Sequence, residues 1–147
     1  MEKINEKVYV DTNIFLNAIL YDPYENQDAQ RASEFLDTIK QDKVQAMTSL
    51  LTWDELVWVI QKELGEDTAR TKGREFLSFP HLHFIEVTIA LIVKAQDILE
   101  NHVVKPRDAI HLATAITSGA STFVTLDGRL KKVGIIPYYN LSTSEKT

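Results

Sequence analysis

Short β-favouring runs alternate with longer segments of helical periodicity along almost the whole chain, and that alternation restricts the fold more than any other feature. Lys7-Val8-Tyr9-Val10 stops at Asp11-Thr12-Asn13, residues that favour turns and helix starts, before the apolar run Ile14 to Leu20. After a turn at Asp22-Pro23, residues 25–40 set Ala29, Ala32, Phe35, Leu36 and Ile39 at helical spacing. A second strand is expected from Val44 to Thr48, then a strongly apolar helix from about Leu50 to Leu64, ended by Gly65. A helix follows over 67–77, and residues 81–87 alternate with period two, as a strand with one covered face does. The pattern continues with a helix from Ile89 to Glu100, another opened by Pro106 and closed by Gly119, a strand at 122–125 and an edge strand at Ile135-Ile136. Residues 1–139 therefore read as one domain, and 140–147 as a polar tail expected to be mobile. Strands separated by helices pair in parallel through right-handed crossovers, which predicts a three-layer α/β/α sandwich with a mainly parallel central sheet.

Composition narrows the chemistry. A chain of 147 residues can bury roughly two-thirds of its unfolded surface without disulfides or structural zinc. It has no Cys, which removes thiol nucleophiles and Cys-based metal sites. No apolar stretch reaches the ~18 residues of a membrane span, and the polar opening Met-Glu-Lys-Ile-Asn-Glu-Lys is unlike a secretory signal, so a cytoplasmic protein is expected. Sixteen Lys and Arg against 21 Asp and Glu leave a net charge of −5, so a polyanion must be held by a local basic cluster or by bound cations.

In a parallel sheet, ligands collect beyond the carboxyl ends of the strands, where strand order reverses. Asp11 follows the first strand and Asp127 the strand at 122–125; Asp108 stands in the first turn after Pro106, and Glu55 about one turn into the helix after the second strand. Converging there, the four would repel one another unless hard divalent cations joined them, so Mg²⁺ or Mn²⁺ is expected, as one or two ions. Such ions support phosphodiester hydrolysis. Each acid also has a plain structural reading. Asp11 can be a helix cap, Asp108 a partner of the helix dipole, Asp127-Gly128 a turn, and Glu55 an ion-pair partner of Lys62.

Glu55 falls among Leu51, Trp58 and Val59 on the helical wheel, while Asp54 projects toward Gln61. The opposite, broader face carries Leu50, Trp53, Leu56, Val57, Ile60 and Leu64, so this helix reads as buried or as an interface, with both Trp residues in core or subunit contact. It and the segment Ile14–Leu20 are the candidate surfaces for a homodimer or a protein partner. His111, three residues after Asp108, fits a role supporting the cluster better than direct ligation. His81 and His83 read as a polar strand face. Lys105, Arg107 and Arg129, with Lys131 and Lys132, stand beside Asp108 and Asp127 in sequence and are candidate phosphate contacts.

Taken together, Val8-Tyr9-Val10-Asp11-Thr12-Asn13-Ile14-Phe15, the Glu55-Leu56 pair, Asp108-Ala109-Ile110-His111-Leu112-Ala113-Thr114-Ala115 and Val124-Thr125-Leu126-Asp127 resemble the PIN domain family across about residues 5–138. The resemblance implies a metal-dependent ribonuclease, commonly a dimer and commonly the toxin of a VapBC-type toxin–antitoxin pair. It makes Asp11, Glu55, Asp108 and Asp127 the acidic quartet, and Thr12, Asn13 and Thr125 the polar residues that orient the cluster. Gly128-Arg129-Leu130 departs from the further acid and aromatic often found after the last Asp, which leaves the second ion open. A receiver domain or an Asp-x-Asp phosphatase would need a second acid where Thr12-Asn13 stands. A non-catalytic PIN-like module binding RNA or protein is the remaining alternative.

Overall fold

A computed structural model describes residues 6–141. The elements run β1 (Lys7–Val10), α1 (Thr12–Leu20), α2 (Gln27–Lys40), β2 (Gln45–Ser49), α3 (Leu51–Leu64), α4 (Glu66–Leu77), β3 (Leu82–Ile85), α5 (Ile89–Asn101), α6 (Pro106–Thr117), β4 (Thr122–Val124) and α7 (Gly128–Lys131). The four strands form one parallel sheet in the order β3-β2-β1-β4. After building β1, β2 and β3 outward, the chain crosses back to set β4 against the other side of β1. The carboxyl ends of β1 and β4 thus flank the point where strand order reverses, and Asp11 N–H donates to the Val124 carbonyl there at 2.9 Å.

Val8, Tyr9 and Val10 are completely buried, as a central parallel strand with helices on both faces requires. Side-chain alternation sends Val8 and Val10 into one core with Phe15 of α1, Phe35 of α2, Ile60 of α3 and Phe76 of α4. It sends Tyr9 into the other, with Leu91 and Ile98 of α5, Leu112 of α6 and Leu130 of α7. These are the three layers. No helix among the described residues is long and apolar enough to cross a membrane.

Several local expectations need correction. Ile135-Ile136 forms no strand; the pairing moves on, where Phe123 N–H donates to the Pro137 carbonyl and Tyr139 N–H to the Phe123 carbonyl, while Ile136 is buried in the core. Leu141 packs into the core at 7% exposure, so position 141 is no part of a mobile tail; residues 142–147 lie outside the described range. His81 precedes β3 with φ +62 and its ring faces Asp42, so it shares no strand face with His83. In α1, Ile14 and Phe15 are buried in the core, which removes the apolar centre of that segment as a free surface. On α3, Leu56 and Ile60 are buried but Trp53 and Trp58 are not, because α4 covers only part of the helix.

Candidate active site

Asp11 leaves β1 in extended geometry and caps α1, its carboxylate accepting from Thr12 N–H at 2.8 Å. Its second oxygen, Oδ2, accepts from Thr125 Oγ1 at 2.8 Å and from Asn13 Nδ2 at 3.1 Å. Asn13 Nδ2 also donates to Thr125 Oγ1, and the Asn13 side-chain oxygen accepts from Leu126 N–H, tying the β1 and β4 loops together. Asp11 is therefore both a helix cap and a rim acid, two readings that the sequence presents as alternatives.

Glu55 reaches across from α3. Its Oε1 accepts from Thr12 Oγ1 at 2.7 Å and from His111 Nε2 at 2.6 Å. The partner of this acid is thus the His111 ring, not Lys62, whose ammonium lies over the Trp58 ring. His111 is 1% exposed, and its Nδ1 meets the Tyr9 hydroxyl at 2.5 Å. The Tyr9 oxygen also accepts from Ser49 N–H at 3.0 Å. Tyr9 is a supporting residue that sequence reasoning passed over. A phenol between two valines on a doubly buried strand was the available signal, since a buried Tyr hydroxyl needs a polar partner.

Asp108, in the first turn of α6, makes no hydrogen bond or ion pair among the described residues. Asp127 caps α7 and is engaged: it accepts from Arg129 N–H at 2.9 Å and lies 3.4 Å from the guanidinium. The four acids line one cavity of about 390 Å³ with Thr12, Asn13 and Arg107. Asp54 and Trp58 line it too. Lys105, Arg107 and Arg129 line an adjoining hollow that shares Glu55, Asp108 and Asp127 with the first.

Protonation follows these surroundings. Burial raises the Asp11 pKa despite the opposing His111 charge and the hydrogen bonds from Thr125 and Thr12. Burial, and then the charge of Asp11, raise Asp108 as well. Burial alone would also raise Glu55, but the bonds from His111 and Thr12 outweigh it and leave this acid below its usual range. Asp127 is likewise lowered, burial being outweighed by Arg129. For His111, burial favours the neutral ring; the Tyr9 oxygen, the Glu55 bond and the nearby carboxylates win and hold its pKa well above 6.5.

His111, Arg107 and Arg129 are cations at or beside this cavity, against Asp11, Asp54, Glu55, Asp108 and Asp127. The donor set is all oxygen, it comes from four separate elements, and two members are pushed toward protonation, so it suits a hard divalent cation. No group of three His, Asp or Glu side chains among the described residues is already arranged around one ion position. Arg129 already stands on Asp127, at 3.4 Å from its carboxylate.

The comparisons with known proteins come to the same architecture. The PIN domain family profile matches residues 8–136. VapC20 of Mycobacterium tuberculosis, described as a Sarcin-Ricin loop cleaving toxin, superposes with a TM-score of 0.73 at 17% identity, covering 90% of this chain and 99% of that one. VapBC2 from Rickettsia felis, solved with a DNA fragment from its promoter, gives a TM-score of 0.68 at 19% identity, covering 91% and 98%. A toxin–antitoxin complex from Klebsiella pneumoniae gives 0.66 at 20% identity, covering 91% and 97%. Identities this low show a shared fold. No curated protein matches the sequence.

Proposed function

The chain belongs to the PIN domain family, and from that premise we propose that it is a metal-dependent endoribonuclease, hydrolysing RNA phosphodiester bonds as the toxin of a VapBC-type pair. The observation that carries this reading is the meeting of Asp11, Glu55, Asp108 and Asp127 at one cavity beyond the carboxyl ends of β1 and β4. The reading brings with it an antitoxin partner, a homodimer and a cytoplasmic setting; solved relatives that are toxin–antitoxin complexes support the first of these.

Asp11 and Asp108 would hold Mg²⁺ or Mn²⁺, with Asp127 joining once released by Arg129 and Glu55 completing the set. The ion supplies Lewis acidity toward a phosphate oxygen and lowers the pKa of water. The protein's own contribution is orientation. Thr12 N–H, Asn13 and Thr125 fix both oxygens of Asp11, so that carboxylate needs little ordering on binding. Thr12 Oγ1 and His111 both bond Glu55 Oε1, and Oε2 carries no hydrogen bond among the described residues. His111, held by Tyr9, would thereby act as a positioning residue. Arg107 and Lys105 at the rim supply positive charge toward the RNA phosphates in an otherwise acidic protein.

Cleavage of a mixed RNA pool with and without Mn²⁺, comparing wild type with Asp11→Asn, tests the proposal. Metal-dependent cleavage lost in the variant supports it; equal activity in both refutes the assignment. The Arg129 contact on Asp127 favours a second reading, a PIN-like module that binds RNA or protein without cutting. That reading predicts RNA binding with no Mn²⁺-dependent cleavage and no stabilisation by Mn²⁺.

A further inference from the structure

The chain has two tryptophans, both on α3, and the fold treats them differently. Trp53 lies against α4, where a Cβ added at Gly73 would stand 3.2 Å from its Nε1. Trp58 is 60% exposed and lines the same cavity as the four acids. Lys62 Nζ stands 5.3 Å from its ring centroid, a cation over a π face. Arg107 lines that cavity too.

We propose that Trp58 is the stacking platform for one unpaired nucleobase of the RNA whose phosphate meets the acid cluster. This rests on the nuclease reading above. A base is uncharged, so it enters beside the acid cluster and Asp54 without the repulsion that a phosphate meets there. The cations needed by the flanking phosphates, Lys62 and Arg107, stand at the indole and in the cavity wall. Stacking tolerates any base, because every base has a π face, but a paired base inside a duplex has both faces covered.

The test uses the two-tryptophan composition. In Trp53→Phe/Asp108→Asn, Trp58 is the one fluorescent indole and cleavage is suppressed. A short mixed-sequence RNA is expected to quench it, and the same RNA annealed to its complement is not. In steady-state cleavage with Mn²⁺, Trp58→Ala raises KM by roughly 5- to 150-fold, with kcat changed by less than about threefold, and Trp58→Phe restores most of the loss. Equal quenching by duplex, or no quenching together with an unchanged KM in Trp58→Ala, overturns the stacking role while leaving the nuclease reading intact. Quenching by single-stranded RNA in a protein that cleaves nothing keeps the platform and refutes the nuclease. If Trp58→Ala converts a dimer to a monomer by sedimentation while KM is unchanged, the indole is a protein contact and the proposal falls.

Discussion

Asp11 and Asp127 close neighbouring strands at the same sheet edge, yet the fold prepares them in opposite ways. Asp11 is 5% exposed, accepts three hydrogen bonds from groups that are themselves tied down, and has its pKa raised by burial. Asp127 is half-buried, caps a four-residue helix, and is held below its usual range by a largely exposed arginine two residues away. One carboxylate is buried and tied down on both oxygens, with the His111 ring 3.8 Å away. The other is more open and is paired with an exposed arginine. Under the proposed nuclease reading, such a site would keep Asp11 fixed and recruit Asp127 last, with Arg129 turning from Asp127 to a substrate phosphate.

The largest effect that sharpens this contrast is expected from Asp11→Asn. The amide keeps the shape but loses the charge, and RNA cleavage should fall by more than the ~10- to 100-fold typical of losing a supporting partner. Asp127→Asn, measured in the same assay, should cost less, since its acid is only conditionally available. Next comes Thr125→Val, which deletes the donor to Asp11 Oδ2 and the acceptor for Asn13 and Asp127 N–H. Leaving these buried groups short of partners should destabilise the protein by about 1–3 kcal/mol in denaturant unfolding and reduce cleavage about 10- to 100-fold.

A third expectation concerns pH. Asp11 and Asp108 have folded-state pKa values raised above the ordinary 3.8. They therefore stabilise the metal-free protein fully below 3.8, and that contribution is lost as pH rises through their raised values. A cation binds the deprotonated form, so the rise in Tm produced by Mn²⁺ should grow with pH across this window and vanish below it. A Tm increment independent of pH would separate the metal from these two acids. The smallest effect is expected from Arg129→Ala. An exposed ion pair contributes about 0–1 kcal/mol, so Tm should barely move, while Mn²⁺ titration should show tighter binding as Asp127 is freed. Weaker binding would mean that Arg129 supports the site instead of restraining it.

How much of this was legible beforehand varies by residue. β1, with three consecutive buried positions, and α6, with Pro106 at its start, were plain in the sequence because apolar period and helix punctuation act locally. The four acids were legible as strand-end and helix-start residues, and parallel topology explains why such positions gather at one edge. Tyr9, His111 and Glu55 were not legible as a unit, since Tyr9 and His111 are 102 residues apart and only packing of α6 on the sheet brings them together. The reading of both tryptophans as core failed for a related reason. A helical wheel shows that a face is apolar, but whether α4 or solvent covers it depends on where the next helix crosses.

The order of residues along the chain was enough to specify the alternating elements, the parallel sandwich and the acidic character of its rim, because periodicity, capping and strand–helix connection are short-range effects. Tertiary structure alone decided which acids are already engaged and by what, that Arg129 sits on Asp127, and that Trp58 opens onto the cavity while Trp53 lies against α4. Those outcomes depend on distances between segments remote in sequence, and electrostatics and burial act through space, where no linear pattern records them.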